Sequence, residues 1–109
     1  FGLKMCFDTS HAWVSACYYE FDFYEFVKEC APYISHLHLV DGKSPNGEGM
    51  QIGEGEIDFK KVFDIISKRG PKNIQISWLP EIWMGHLNNL EGFRIALNRL
   101  KKMNHKFLN

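Results

Sequence analysis

Three short runs of the chain alternate between apolar and polar residues, and each of them ends on or beside a residue type that binds metals. The runs are Leu3–Asp8, Ile34–Leu39 and Ile74–Glu81. Successive side chains of a strand point to opposite faces, so each run predicts one apolar face that helices can cover and one polar face. Asp8, His38 and Glu81 lie near the C-terminal ends of the polar faces. The pattern therefore predicts parallel strands with their chemistry at one common edge.

A predicted helix follows each predicted strand. The three helices cover approximately Phe23–Ala31, Phe59–Lys68 and Leu90–Met103. Asp22 and Asp58 are residue types that cap helix N-termini, and each stands just before a predicted helix. Asn88 or Asn89 can begin the last one. This alternation predicts an α/β fold in which parallel strands are joined by right-handed crossovers.

Three segments show no helical or strand pattern. Thr9–Tyr19 is rich in aromatic residues and is predicted to be a loop or a short turn. Asp41–Glu56 contains five glycines and is predicted to be a long loop, and loops of that length in small domains are usually functional or mobile. The tail His105–Asn109 is expected to fray.

The chain is too short for a closed barrel of these units. A complete eight-fold barrel needs about 250 residues, whereas this chain has 109. We therefore predict one partial-barrel domain over residues 1–109, with about three βα units and with its N-terminal strands missing. The first residue is Phe1 rather than Met, which we interpret as a cut end. Three strands leave unpaired edges, so we expect self-association or completion by the rest of the barrel.

Composition restricts the classes of partner. Lysine plus arginine and aspartate plus glutamate number 13 each, which predicts no nucleic-acid or anionic-membrane partner. No apolar run approaches the roughly 20 residues that a bilayer crossing needs. The three cysteines, Cys6, Cys17 and Cys30, lack CxxC spacing and are odd in number. Free thiols in a reducing cytoplasm are therefore favoured over disulfides.

Four motifs of the chain resemble those of the xylose isomerase-like TIM-barrel superfamily. That group includes sugar-phosphate isomerases and epimerases and the second family of AP endonucleases. Its motifs "DTxHA", "hxHxxD", "xGEGxxDF" and the final strand with its ligand glutamate match Phe7–Ala12, His36–Asp41, Ile52–Phe59 and Pro80–Ile82. Their order and spacing are similar to strands six to eight of such a barrel, its C-terminal part.

The resemblance implies a divalent metal ion at the barrel mouth. Asp8, His38 and Glu81 match three of the family's ligands, and the fourth, a glutamate, belongs to an earlier strand. Mixed carboxylate and imidazole ligands suit Mn, Zn, Co or Mg. The resemblance also implies that Glu81 shares in passing a proton between two carbons of a sugar, through an enediolate. His11 matches a histidine that contacts substrate in the isomerases and a second metal in the endonucleases.

Three further residues are candidate substrate contacts, and each has a simpler structural interpretation. Lys43 can meet a substrate phosphate, although an exposed loop lysine is the commoner case. Trp83 and His86 follow the last strand and can form a wall on which a sugar stacks. Two candidate ligands also have simpler interpretations. Asp8 can be a helix cap without binding a metal, and Glu81 can be a solvated loop carboxylate.

Three further residues near the candidate ligands are predicted to have structural roles. His36 points the same way as His38 but deeper, and is predicted to be a hydrogen-bonded residue of the barrel lumen. Cys6 faces the lumen without an activating base and is predicted to be an inert thiol. Asp41 is predicted to orient His38 or to cap the glycine-rich loop.

The sequence leaves three functions open. The first is a metal-dependent isomerase or epimerase of a sugar or sugar phosphate. The second is a non-catalytic sugar-binding or assembly domain of a larger biosynthetic protein, since Pro80–Leu97 also resembles barrel domains of sialic-acid-synthase-type proteins. The third is an endonuclease-like phosphodiesterase. It is disfavoured because Gly47–Gln51 lacks the "DxH" pair of that branch and because the net charge is zero.

Overall fold

Residues 2–109 form five strands and four helices, as a computed structural model shows. Phe1, interpreted above as a cut end, lies outside the described residues. The strands are β1 (Met5–Asp8), β2 (Ile34–Leu39), β3 (Asp41–Lys43), β4 (Gly47–Met50) and β5 (Ser77–Pro80). The helices are α1 (Thr9–Tyr19), α2 (Phe23–Cys30), α3 (Phe59–Arg69) and α4 (Leu87–Met103), with short 3-10 turns at Ala31–Tyr33 and Lys106–Leu108.

A parallel sheet of three strands positions the candidate ligands. Its order is β1-β2-β5, with β2 in the centre. This confirms the prediction of a mixed α/β fold with parallel strands, and within residues 2–109 the sheet is open rather than closed into a barrel. Strand β5 is shorter than the predicted strand Ile74–Glu81, because it begins at Ser77 and leaves the exposed Ile74 outside the sheet.

The apolar face of this sheet forms the core under the helices. Phe7 and Leu37 are buried on this face, and Trp78 packs against the same core. Helices α2 and α3 lie against each other, and α4 contacts β5. The caps of α2 and α3 are as predicted: Asp22 accepts a hydrogen bond from the backbone N–H of Glu25, and Asp58 accepts one from that of Lys61.

The opposite face of the sheet is uncovered. Cys6, Ser77 and Leu79 are exposed there, and His36 and His38 are half-buried. Strands β1 and β5 are the sheet edges, each paired on one side only within the described chain. The described part of the molecule therefore offers both a polar face and two edges to a further partner.

The segment Thr9–Tyr19 is a helix, so the prediction of a loop there is wrong. Its residues include β-branched and aromatic types with poor helix propensity, and only Thr9, Ser10 and Ala16 are buried. The helix is fixed instead by its Asp8 cap and by packing against the β3 and β4 segments. It ends at Glu20, which has a left-handed φ of 58°.

The glycine-rich segment is also more ordered than predicted. It contains an antiparallel hairpin in which β3 pairs with β4, joined by a turn that contains Pro45 and Asn46. The tail is ordered too, because the ring of Phe107 stacks on that of Phe63 at 5.2 Å.

Helix α4 begins close to its predicted start. Asn88, Asn89 and Leu90 have left-handed φ angles of 52°, 59° and 64°, so the regular right-handed part follows Leu90. Its buried side chains are Ala96 and Leu100, whereas Leu97 is 38% exposed. None of the helices within residues 2–109 has the length and apolarity that a membrane crossing requires.

Candidate metal centre

Asp8, His38 and Glu81 meet at the C-terminal edge of the parallel sheet. Asp8 and His38 are direct partners in the register of β1 and β2. Glu81 follows β5, and its backbone N–H donates to the carbonyl of Leu39 at 3.2 Å, which extends the pairing of β2 and β5 by one residue. One ligand atom from each side chain lies within 4.8 Å of the other two. The structure therefore brings the three predicted ligands together.

The contacts within this cluster run through one nitrogen of His38. Its Nδ1 lies 2.8 Å from Glu81 Oε2 and 3.5 Å from Asp8 Oδ2. Two carboxylates and one imidazole are a donor set that suits Mn²⁺, Zn²⁺ or Co²⁺, so the residues present fit the divalent ion that the sequence predicts. That they serve as ligands stays a prediction.

Asp8 acts as a helix cap and also faces the cluster. Its Oδ1 accepts a hydrogen bond from the backbone N–H of His11 at 2.9 Å, which caps α1. Its Oδ2 is directed toward His38. The two interpretations of Asp8 are therefore compatible, because the cap uses one oxygen and leaves the other for a cation.

Thr9 ties the ends of β1 and β2 together beneath the cluster. Its buried hydroxyl donates to the carbonyl of Val40 at 2.6 Å and accepts from the backbone N–H of Val40 at 3.0 Å. A single side chain thus satisfies both backbone groups of the residue that follows β2. This explains why a threonine follows Asp8 and how the spacing of the two strand ends is set.

Asp41 organises the glycine-rich segment rather than His38. The residue is fully buried, and its carboxylate accepts hydrogen bonds from three backbone N–H groups: Gly42 at 2.8 Å, Gly53 at 2.9 Å and Ile57 at 3.2 Å. Gly55 lies so close that a Cβ there would overlap the Asp41 carboxylate and the Gly42 carbonyl. Of the two roles predicted for Asp41, the structure shows the loop cap.

An open cavity of about 780 Å³ lies beside the cluster. Asp8 and Glu81 border it, and so do three of the predicted substrate contacts: His11, Trp83 and His86. Lys43 does not line it, because this exposed lysine lies on β3 in the hairpin. The structure therefore separates Lys43 from the other predicted contacts.

Sequence reasoning missed Glu48 as a cavity residue. The Nε2 of His11 lies 3.4 Å from Glu48 Oε2, and its Nδ1 lies 3.2 Å from Asp8 Oδ1, so the imidazole sits between two carboxylates. The segment Gly47–Gln51 was considered only for the absence of a "DxH" pair. The available signal was that Glu48 is the one acidic residue between the glycines Gly47 and Gly49.

Backbone hydrogen bonds hold the far wall of the cavity. The backbone N–H of Trp83 donates to the carbonyl of Gly49 at 3.0 Å, and the N–H of Gly49 donates to the buried Ser10 hydroxyl at 3.1 Å. Gly49 has a φ of 68°, and a Cβ there would stand 2.9 Å from the Cβ of Trp83. Glycine at this position thus lets the hairpin approach the segment that carries Trp83.

His36 and Cys6 lie one layer deeper than the cluster on the same face. His36 is hydrogen-bonded, since its Nδ1 lies 2.7 Å from Ser77 Oγ. Burial raises the pKa of the Cys6 thiol, and the charges of Asp8 and Glu81 raise it further. The neutral thiol is thereby favoured, in keeping with the low reactivity predicted for Cys6.

Comparison with known proteins identifies one family. The family model described as "Xylose isomerase-like TIM barrel" matches residues 2–103. No curated protein and no solved structure matches the chain. The matched range contains all four motifs and every candidate residue of the cavity.

Proposed function

Because this chain belongs to the xylose isomerase-like TIM-barrel family, we propose that it forms the C-terminal part of a metal-dependent isomerase or epimerase of a sugar or sugar phosphate. The observation that carries the proposal is the meeting of Asp8, His38 and Glu81 at the carboxyl ends of three parallel strands, beside an open cavity. Ligands and catalytic groups of barrel enzymes occupy this edge. The open three-stranded sheet supports a role as one part of a larger barrel.

In this proposal Asp8, His38 and Glu81 hold Mn²⁺, Zn²⁺, Co²⁺ or Mg²⁺. The bound ion supplies Lewis-acid polarisation of the substrate oxygens. Glu81 borders the cavity, and its carboxylate is one of two that together pass a proton between adjacent carbons of the sugar. The substrate passes through an enediolate. A second carboxylate, from the remainder of the barrel, completes the acid–base pair.

The other cavity residues orient the sugar. His11 borders the cavity, where its imidazole is held between Asp8 and Glu48, and the exposed ring of Trp83 offers an apolar face to the sugar ring. His86 supplies a further polar group on the same wall. Lys43 contributes only if the substrate phosphate extends beyond the cavity to the hairpin.

Binding of Mn²⁺ tests the metal site directly. The 109-residue chain should bind Mn²⁺ weakly, because the family's fourth ligand comes from another strand. Asp8→Asn and Glu81→Gln should each weaken that binding by at least about tenfold, as removal of even outer-shell groups does in metal sites. Loss of the free-ion electron paramagnetic resonance signal on titration measures the affinity.

Glu54→Gln is the matched control for this titration. Glu54 pairs with Arg99 at 2.6 Å on the far side of the loop and does not line the cavity. It should leave Mn²⁺ affinity unchanged. Unaltered affinity in both Asp8→Asn and Glu81→Gln would show that the ion, if bound, sits elsewhere.

A non-catalytic sugar-binding or assembly domain is the second candidate. One observation favours it: His38 Nδ1 already lies 2.8 Å from Glu81 Oε2, so these two side chains are partnered without a cation. Absence of any Mn²⁺, Co²⁺ or Zn²⁺ from the complete barrel protein would support this alternative. The balanced charge continues to argue against a nucleic-acid partner.

We also propose that the edges of the sheet pair with another chain or with the remaining strands of the barrel. The unpaired sides of β1 and β5 and the exposed Leu79 support this partner. Sedimentation of the 109-residue chain should show dimers or larger species. A cooperatively folded monomer at tens of micromolar would contradict the proposal.

The cytoplasm is the proposed location, since all three cysteines are free thiols.

A further inference from the structure

We propose that Cys6, His36 and His38 form a second cation site, which adjoins the carboxylate cluster and shares His38 with it, and that this site takes a thiophilic divalent cation such as Zn²⁺. One ligand atom from each of the three side chains lies within 4.8 Å of the other two. The three residues stand on the uncovered face of the sheet. The proposed isomerase function does not use Cys6 or His36, so this site goes beyond it.

The strand register creates the site. Cys6 and His36 are partners across β1 and β2, and Asp8 and His38 are partners two residues further on. Residues two apart on a strand share a face, so the cysteine and the first histidine form a layer directly below the carboxylate cluster. His38 belongs to both layers. Its ring lies 5.3 Å from that of His36, with the two planes perpendicular.

Hydrogen bonding prepares His36 as a ligand. Its Nδ1 is 2.7 Å from Ser77 Oγ, and the Ser77 hydroxyl donates to the carbonyl of Ser35 at 3.4 Å. In the tautomer in which His36 Nδ1 donates to this hydroxyl, its Nε2 carries the free lone pair that a cation needs. A partner that fixes the tautomer in this way is typical of metal-bound histidines.

The donor set distinguishes this site from the carboxylate cluster. One sulfur and two imidazole nitrogens favour Zn²⁺ or Co²⁺ and leave a fourth tetrahedral position open, whereas Mg²⁺ and Mn²⁺ prefer oxygen ligands. The nearby carboxylates of Asp8 and Glu81 attract a cation to this face. On binding, the sulfur–metal bond forms and the thiol proton passes to solvent.

Titration with Co²⁺ tests the site, with the thiolate-to-metal charge-transfer absorption as the readout. The 109-residue chain should develop this band and saturate it at one equivalent. Cys6→Ser should abolish the band, and His36→Gln should weaken Co²⁺ binding by at least about tenfold. Cys17→Ser is the matched control and should keep the band, because Cys17 lies on α1 away from this face. A band that survives in Cys6→Ser overturns the proposal.

Two further arms separate this site from the proposed catalytic one. Asp8→Asn should keep the Co²⁺ band while losing Mn²⁺ affinity, and loss of the band in Asp8→Asn would show a single site. Alkylation provides a test on the unmodified chain. Zn²⁺ should slow alkylation of Cys6 by at least about tenfold, because only the free thiolate reacts. Alkylation of Cys17 should proceed at the same rate with and without Zn²⁺. Equal alkylation of Cys6 with and without Zn²⁺ would exclude the site.

Discussion

Replacing Glu81 with glutamine should slow solvent-deuterium exchange into the sugar substrate by about 10²- to 10⁴-fold at saturating Mn²⁺. Glutamine has nearly the shape of glutamate, but its amide does not take up and return a proton. Saturating Mn²⁺ removes the contribution of weaker metal binding, so the remaining loss reports proton transfer. Nuclear magnetic resonance of aldoses, ketoses and their phosphates in heavy water measures the exchange, in the complete barrel of which we propose that this chain is a part.

Glu54→Gln is the matched control, because it makes the same chemical change at a residue that pairs with Arg99. This variant should exchange deuterium into the sugar at the same rate as the unmodified protein. Full exchange by Glu81→Gln at saturating Mn²⁺ would remove Glu81 from the acid–base role. Absence of exchange with every sugar tested in the unmodified barrel, despite bound metal, would instead favour the non-catalytic domain.

Replacing Asp41 with alanine should lower the free energy of unfolding by about 3 kcal/mol, a large share of the roughly 5–15 kcal/mol typical of a domain. The carboxylate is fully buried and is shared by the backbone N–H groups of Gly42, Gly53 and Ile57. Alanine would leave these donors without their acceptor, and each unsatisfied buried donor is costly. Urea denaturation followed by circular dichroism measures the change.

Asp58→Ala is the reference against which the stability loss of Asp41→Ala is compared. Asp58 also accepts a hydrogen bond from a backbone N–H, that of Lys61, but it is exposed and caps a helix. Removal of such a cap costs about 1 kcal/mol. If Asp41→Ala costs no more than Asp58→Ala, the loop does not depend on the buried carboxylate.

Alternation along the strands was sufficient to predict the sheet and the meeting of the three ligand candidates. Period-two patterns are local, and burial of one face leaves little freedom in which residues face the other. For the same reason Asp22 and Asp58 were recognised as caps, since an N-cap is defined by residues only three positions apart.

The features that were missed depend on contacts between distant parts of the chain. Helix α1 lacks a regular apolar stripe and is held by the Asp8 cap and by the hairpin. The role of Asp41 becomes visible only when Gly53 and Ile57 fold back onto it. Glu48 enters the cavity because β4 pairs with β3, a register that the glycine-rich sequence does not specify.

The cavity is built from two mechanically separate supports. Asp8 and His38 project from paired strands whose ends Thr9 joins. The opposite wall is held by hydrogen bonds from the Trp83 backbone N–H to the Gly49 carbonyl and from the Gly49 N–H to the Ser10 hydroxyl, so the indole itself takes no part in holding it. Substitutions at positions 83 and 86 can therefore change which molecule the cavity accepts without moving the strand ends. An evolving lineage, or an engineer, could change the shape of this wall while leaving the proposed metal ligands in place.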